Sequence, residues 1–168
     1  MLLRHRPTAS GEIEIDAGRA TVWALVTDPE RMGEFSPENR GGTWDPPWTG
    51  PEVGARFTAS NERRGEVWST SPLVTEVAEG MLYQFVVGLP HDPVATWRYE
   101  LHPSKTGGTR VVESVQLGAA GSPMRDMIDG GADEERLVSV ITSLHQRNIA
   151  ATLQAIKLAA EAIAPTAP

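Results

Sequence analysis

The sequence predicts an α+β fold: a curved antiparallel sheet of seven strands, two short helices near the N-terminus, and one long C-terminal helix lying across the sheet. Three observations carry this expectation. Between residues 39 and 117, short apolar or alternating runs are punctuated by Gly41-Gly42, Pro46-Pro47, Arg64-Gly65, Glu79-Gly80, Asp92-Pro93 and Gly107-Gly108, with no spacer long enough for the helical crossover that parallel pairing requires. Residues 132–164 place apolar side chains at helical spacing. All ten aromatic residues precede His102, so the long helix offers Leu, Ile, Val, Ala and Thr to a sheet that supplies the large rings.

The elements follow in order. Glu12–Asp16 alternates polar and apolar residues, a strand with Ile13 and Ile15 turned to the core. Arg19–Thr27 carries Val22, Trp23, Leu25 and Val26 at helical spacing, with Asp16 upstream as a cap. Asp28-Pro29-Glu30-Arg31-Met32 starts a second helix, where proline's missing N–H costs nothing in the first turn. The remaining strands are Gly42–Trp44, Ala55–Asn61, Glu66–Val77, Leu82–Gly88, Val94–His102 and Thr109–Leu117. In the segment Gly118–Gly131, Ser122 and Pro123 open a short helix with Met124, Met127 and Ile128 on an apolar edge. The last helix aligns Leu137, Ile141, Leu144, Asn148, Thr152, Ile156 and Ile163, flanked by Val138, Val140, Ile149 and Leu153. At 1.5 Å per residue it would be roughly 45 Å long, more than enough to cross a small sheet. The expected organisation is a disordered or extended leader at 1–11, one domain at 12–164 and a fraying tail at 165–168.

Composition excludes several classes. The chain has 168 residues, no cysteine, and 22 acidic against 15 basic residues, a formal charge of −7. Without cysteine there are no disulfides, thiolate metal sites or thiol nucleophiles. A net negative chain without basic runs repels nucleic acid and anionic lipid. The first ten residues hold Arg4, His5 and Arg6 but no apolar signal core, and no run is long enough to span a bilayer, so the expected location is the cytoplasm. The four histidines lack metal-ligand spacing, and the glycine pairs lack the lysine and the strand-to-helix context of a phosphate loop, so neither a metal nor another cofactor is expected.

Strand parity puts Trp97, Tyr99 and Leu101 on one face, as it does Tyr83, Phe85 and Val87, and Phe57, Ala59 and Asn61. These rings either close-pack against the helix or line a cavity, and periodicity does not separate the two. Glu113 shares the inward face of Val111, Val115 and Leu117, where a buried carboxylate needs a donor, water or ligand. His145 stands between Ile141 and Ile149 at the edge of the helical stripe, and is either a hydrogen-bonded core residue or an acid or base facing the interior. The facing of Trp68 is left open by the sequence, although Glu66 and Thr70 argue outward, and that of Trp48, between Pro47 and Thr49, is equally open and compatible with a rim.

The element order resembles the helix-grip fold of the START-like superfamily (SRPBCC). Ile13–Asp16 leading into Val22–Met32, then Ser36-Pro37-Glu38, Trp97–Leu101 and Gly107–Val111, look like the polyketide cyclase/dehydrase and lipid transport family, over residues 12 to about 160. The resemblance implies an internal apolar cavity between curved sheet and long helix, open near the short helices and the 118–131 connector. It implies a small hydrophobic ligand, a lipid, polyketide or similar molecule. Trp44, Phe57, Asn61, Phe85, Trp97, Tyr99, Glu113, Met124, Met127, Ile141 and His145 are the expected lining, with Asn61, Glu113 and His145 orienting the ligand. The alternative is an enzyme of the cyclase, aromatase or dehydratase kind, with Glu113 as base and Tyr99 or His145 as acid. The family has no catalytic signature shared by all members, so no residue role is carried over from it. A homodimer is compatible with the sequence, and a partner-binding domain is the third reading.

Overall fold

The structure, a computed structural model, describes residues 1–119 and 123–163. A 3-10 turn at Leu3–His5 is followed by β1 (Thr8–Ile15), α1 (Arg19–Val26), α2 (Met32–Phe35), β2 (Asn39–Trp44), β3 (Phe57–Arg63), β4 (Glu66–Thr70), β5 (Leu73–Ala78), β6 (Leu82–Leu89), β7 (Asp92–Pro103), β8 (Thr109–Leu117), α3 (Pro123–Asp129) and α4 (Glu134–Ile163). The expected α+β helix-grip arrangement is present, a curved antiparallel sheet held against one long helix. Among the described residues no helix is long and apolar enough to cross a membrane.

Among the described residues eight strands form, not seven, and in two sheets: β1-β8-β7-β6-β5 and β2-β3-β4. The single run expected at Glu66–Val77 breaks at Ser71-Pro72, because Pro72 has no N–H for the ladder. Its first half, β4, pairs with β3, and its second half, β5, pairs with β6. At the corner an Arg56–Leu73 bridge and a hydrogen bond from Val74 N to the Ala55 carbonyl tie the sheets together. The layer thus folds around the interior.

β1 begins at Thr8, ahead of the expected Glu12, because Thr8–Gly11 continue the ladder with β8. Part of the expected leader is therefore paired strand, and Leu3, 1% exposed, packs with Leu117 and Val138. β1 is an edge strand, and α4 covers that edge with polar side chains. Gln146 bonds the backbone of Ser10, Lys157 Nζ donates to the Glu14 carbonyl at 2.8 Å, and Glu161 accepts from Asp16 N at 2.8 Å. The edge is thereby unavailable to another strand. Asp16 does not cap α1 as expected; Gly18 stands at the N-cap with no side-chain bond. Asp28 does act at the next turn, where Oδ1 accepts from Glu30 N at 2.9 Å.

α4 starts with Asp133, whose carboxylate accepts from Arg136 N at 2.9 Å in the usual N-cap manner. Its buried face is Val138, Ile149, Thr152, Leu153, Ile156 and Ala160. Val140 and Ile163, expected on or beside the stripe, are 55% and 54% exposed. Thr152 and Ile156 of the expected stripe are buried, together with its flanking Val138, Ile149 and Leu153 and with Ala160. The close approach of α4 to β1 depends on Gly11: a Cβ there would stand 3.0 Å from Ile149 Cγ2 and 3.4 Å from Leu153 Cδ1. The expected helix start at Ser122, the helix end at Ala164 and the 165–168 tail lie outside the described residues.

Candidate functional site

The site is built on rows of cross-strand partners. Gly11 of β1, Glu113 of β8, Tyr99 of β7, Tyr83 of β6 and Val77 of β5 form one continuous row, and Ala9, Val115, Trp97, Phe85 and Val74 form the next. Because pleating sends alternate residues to opposite faces, each row presents its side chains together on the concave side. The rings contact one another along the sheet: Tyr83 and Tyr99 stack at 6.5 Å, Tyr83 and Phe85 lie 5.4 Å apart, and Phe57 reaches across from the second sheet to Phe85 at 5.3 Å. This ring layer stops short of the middle of α4. Between them lies a cavity of about 750 Å³, within the size range of small-molecule sites.

Of the residues expected to line it, Phe57, Asn61, Phe85, Trp97, Tyr99, Glu113, Met124, Ile141 and His145 border the cavity. Trp44 and Met127 do not. Trp44 packs edge-on against Phe57, centroids 5.3 Å apart, and Met127 is 53% exposed. On α3 the i, i+4 pair Met124 and Ile128 packs against the core, which rotates Met127 to solvent. Trp48 is partly buried against the core away from the cavity.

Strand pairing decides the facing of Trp68, which the sequence leaves open. Asn61 and Trp68 are cross-strand partners, as are Arg63 and Glu66, so they share a face. All four border the cavity. The polar neighbours of Trp68 belong to the mouth of the cavity. Arg63 lies 5.6 Å from the Trp68 ring centroid and 3.6 Å from Glu38 Oε1. Arg63 was missed, although parity from Phe57, Ala59 and Asn61 could have found it. Asp28 and Pro29, between α1 and α2, and Met32, the first residue of α2, close another side.

At the sheet wall Tyr99 Oη donates to Glu113 Oε1 at 2.9 Å. Glu113 is 2% exposed and its Oε2 has no hydrogen-bond partner in the protein. Burial pushes the Glu113 carboxyl up to about 8, against the opposing pull of the Tyr99 hydrogen bond, so at neutral pH it is a carboxylic acid. Burial, and then the neighbouring Glu113, hold the Tyr99 phenol well above its ordinary value. Opposite, on α4, His145 packs edge-on to Trp97 at 5.5 Å with Nδ1 buried and unbonded. Burial, and then the Arg63 guanidinium, push the imidazole down to about 4, leaving it neutral. Asn61 Nδ2 reaches Thr70 Oγ1 at 3.3 Å. The result is an aromatic chamber in which Glu113, His145, Tyr83 and Tyr99 are buried and uncharged, with Arg63, Glu38 and Glu66 at its mouth. Among the described residues no group of His, Asp and Glu is placed to hold a metal ion.

Comparison with known proteins places this geometry. A model of the family described as polyketide cyclase/dehydrase and lipid transport matches residues 6–161. The solution structure of the Polyketide_cyc-like protein Cgl2372 from Corynebacterium glutamicum is similar at 28% identity and TM-score 0.68, covering 94% of this chain and 90% of that one. The di-domain ARO/CYC StfQ of the steffimycin biosynthetic pathway matches at TM-score 0.73 and 11% identity, over 92% of this chain and 50% of that one. Major latex-like protein 151 from Panax ginseng matches at TM-score 0.61 and 10% identity, over 92% and 97%. The last two likenesses are of fold alone. Among curated proteins, none matches.

Proposed function

Since the chain belongs to the polyketide cyclase/dehydrase and lipid transport family, we propose that it binds a small apolar or aromatic molecule between the sheet and α4. The cavity of about 750 Å³ carries this reading. Its walls are mostly rings and aliphatic side chains, so burial supplies affinity and a few polar groups supply orientation. A ligand hiding about 250 Å² of apolar surface gains roughly 6 kcal/mol before the costs of association are subtracted. Mass spectrometry of small molecules released from natively purified protein tests the reading directly, with Ile141→Trp as a control that narrows the space. We expect an apolar species released from the wild type and diminished in the folded variant. Failure of the wild type to carry or take up any apolar probe would remove the proposal.

A second reading, catalysis of the cyclase or dehydratase kind, is favoured by one observation: Glu113 and His145 border one cavity, and both are neutral near pH 7. The protonation states reverse the roles expected from sequence, making Glu113 the proton donor and His145 the acceptor. Confinement of a poly-carbonyl chain beside such a pair would supply orientation and proton transfer together. Full turnover by both Glu113→Gln and His145→Ala on an identified substrate would eliminate it.

A further inference from the structure

The turn at Leu3–His5 inserts one side chain into the wall of the cavity. Leu3 is 1% exposed, while the residues that follow it, Arg4, His5 and Arg6, are all exposed. The turn therefore has one face in water and drives Leu3 inward, where it packs with Leu117, Val138, Met124, Ile128 and Ile141. Leu3 borders the cavity, and so do three of these neighbours, Leu117, Met124 and Ile141. On this side the N-terminal turn lies between the cavity and solvent.

Polar contacts hold the turn where it is. Leu3 N donates to Glu134 Oε1, in the first turn of α4, at 2.8 Å. Arg6 N closes back on the Leu3 carbonyl at 2.9 Å, and Leu117 N donates to the Pro7 carbonyl at 2.8 Å, where the chain enters β1. Arg6 sits at φ 48°, in the left-handed region that a residue with a Cβ disfavours, and such a conformation persists only where its surroundings fix it. A terminal segment without such ties frays.

We propose that Leu3 is an end stop of the cavity and sets the length of the apolar ligand that the protein accepts. This rests on the cavity-binding reading above and specifies which dimension of the ligand is selected and by which residue. Truncation of Leu3 would leave a space continuous with the cavity, because the packing around a deleted side chain relaxes only in part. Val138 belongs to the same cluster and is 2% exposed, but it does not border the cavity, so its truncation loosens the same packing without lengthening the chamber.

The test measures displacement of the neutral fluorophore N-phenyl-1-naphthylamine by primary alcohols from 1-hexanol to 1-tetradecanol. Wild type, Leu3→Ala and Val138→Ala are compared, with Leu3→Val taking over if the larger truncation does not fold. As long as each added methylene is buried, affinity rises about fourfold per carbon, and the rise stops at the length that fills the apolar space.

The wild type should show such a limit. In Leu3→Ala the limit should move to longer alcohols by about two carbons, and in Leu3→Val by about one, so that alcohols just beyond the wild-type limit gain about fourfold to tenfold. Val138→Ala should keep the wild-type limit. Absence of a limit in the wild type, an unmoved limit in the folded Leu3 variant, or an equal shift in Val138→Ala overturns the inference, while the binding of the alcohols leaves the cavity reading intact. If neither the naphthylamine nor any alcohol binds the wild type, both fall.

Discussion

Tyr99 and Glu113 are direct cross-strand partners on β7 and β8, and the phenol donates to the carboxyl oxygen at 2.9 Å inside the sheet's concave face. Both members are almost fully buried, at 3% and 2% exposed. The pair is a neutral acid held by a neutral phenol, and stability must therefore depend on pH in a definite direction.

Glu113 is raised from 4.5 to about 8 in the folded protein. Across that interval the native state keeps a proton that the unfolded chain releases. Its stabilising effect is complete below pH 4.5, declines as pH rises, and is gone above about 8, at a limiting slope of about 1.4 kcal/mol per pH unit. Glu113→Gln removes the titration. Denaturant unfolding of the two proteins from pH 5 to 9 should show the variant gaining on the wild type up to about pH 8 and the difference levelling off above it; a difference independent of pH would show that Glu113 is not held neutral.

Tyr99→Phe should destabilise by about 1–3 kcal/mol at pH 6, since it leaves Glu113 Oε1 buried without its donor. The same change removes the interaction that opposes the raised carboxyl value, so the decline in stability should move to higher pH. Urea midpoints at pH 6 and 9 measure both effects. Unchanged midpoints would mean that the hydrogen bond contributes nothing.

His145 titrates in the opposite sense. Its folded value is lowered from 6.5 to about 4, so its neutral burial contributes stability that is complete above pH 6.5 and lost as pH falls through about 4. Burial is the larger cause and Arg63 the second. In Arg63→Gln the His145 midpoint, followed by imidazole NMR shifts, should rise part of the way back. An unmoved midpoint would place the guanidinium too far away to act.

Removal of the Glu161 carboxylate tests how α4 seals the β1 edge. Asp16 N donates to Glu161 Oε1 at 2.8 Å, and nothing in the strand ladder pairs that amide. In Glu161→Ala, hydrogen exchange at Asp16 should accelerate clearly while amides in the middle of the β7–β8 ladder keep their wild-type rates. Uniform acceleration would indicate a global loss of stability in place of local opening.

Part of the site was legible because strands alternate. Parity alone put Glu113 among Val111, Val115 and Leu117, and the structure buries all four. Helical spacing likewise placed His145 near the interior edge of α4. Trp68 was not legible from its own neighbours, because the facing of β4 is decided by its pairing with β3 after the chain breaks at Pro72. Met127 failed for a related reason: which side of a seven-residue helix turns inward depends on what packs against it, here Leu3, Leu117 and Val138 around Met124 and Ile128.

The sequence by itself determined the α+β class, the turns, the segregation of rings to the sheet and the inward facing of a carboxyl group, since each follows from residues a few positions apart. Tertiary structure alone decided that the interior is hollow, that Tyr99 rather than solvent meets Glu113, and that Arg63 guards a mouth with Trp68. Those features depend on strand register, on the corner between two sheets and on the distance at which α4 is held. That distance is set by contacts such as Ile149 over Gly11, between residues more than a hundred positions apart in the chain.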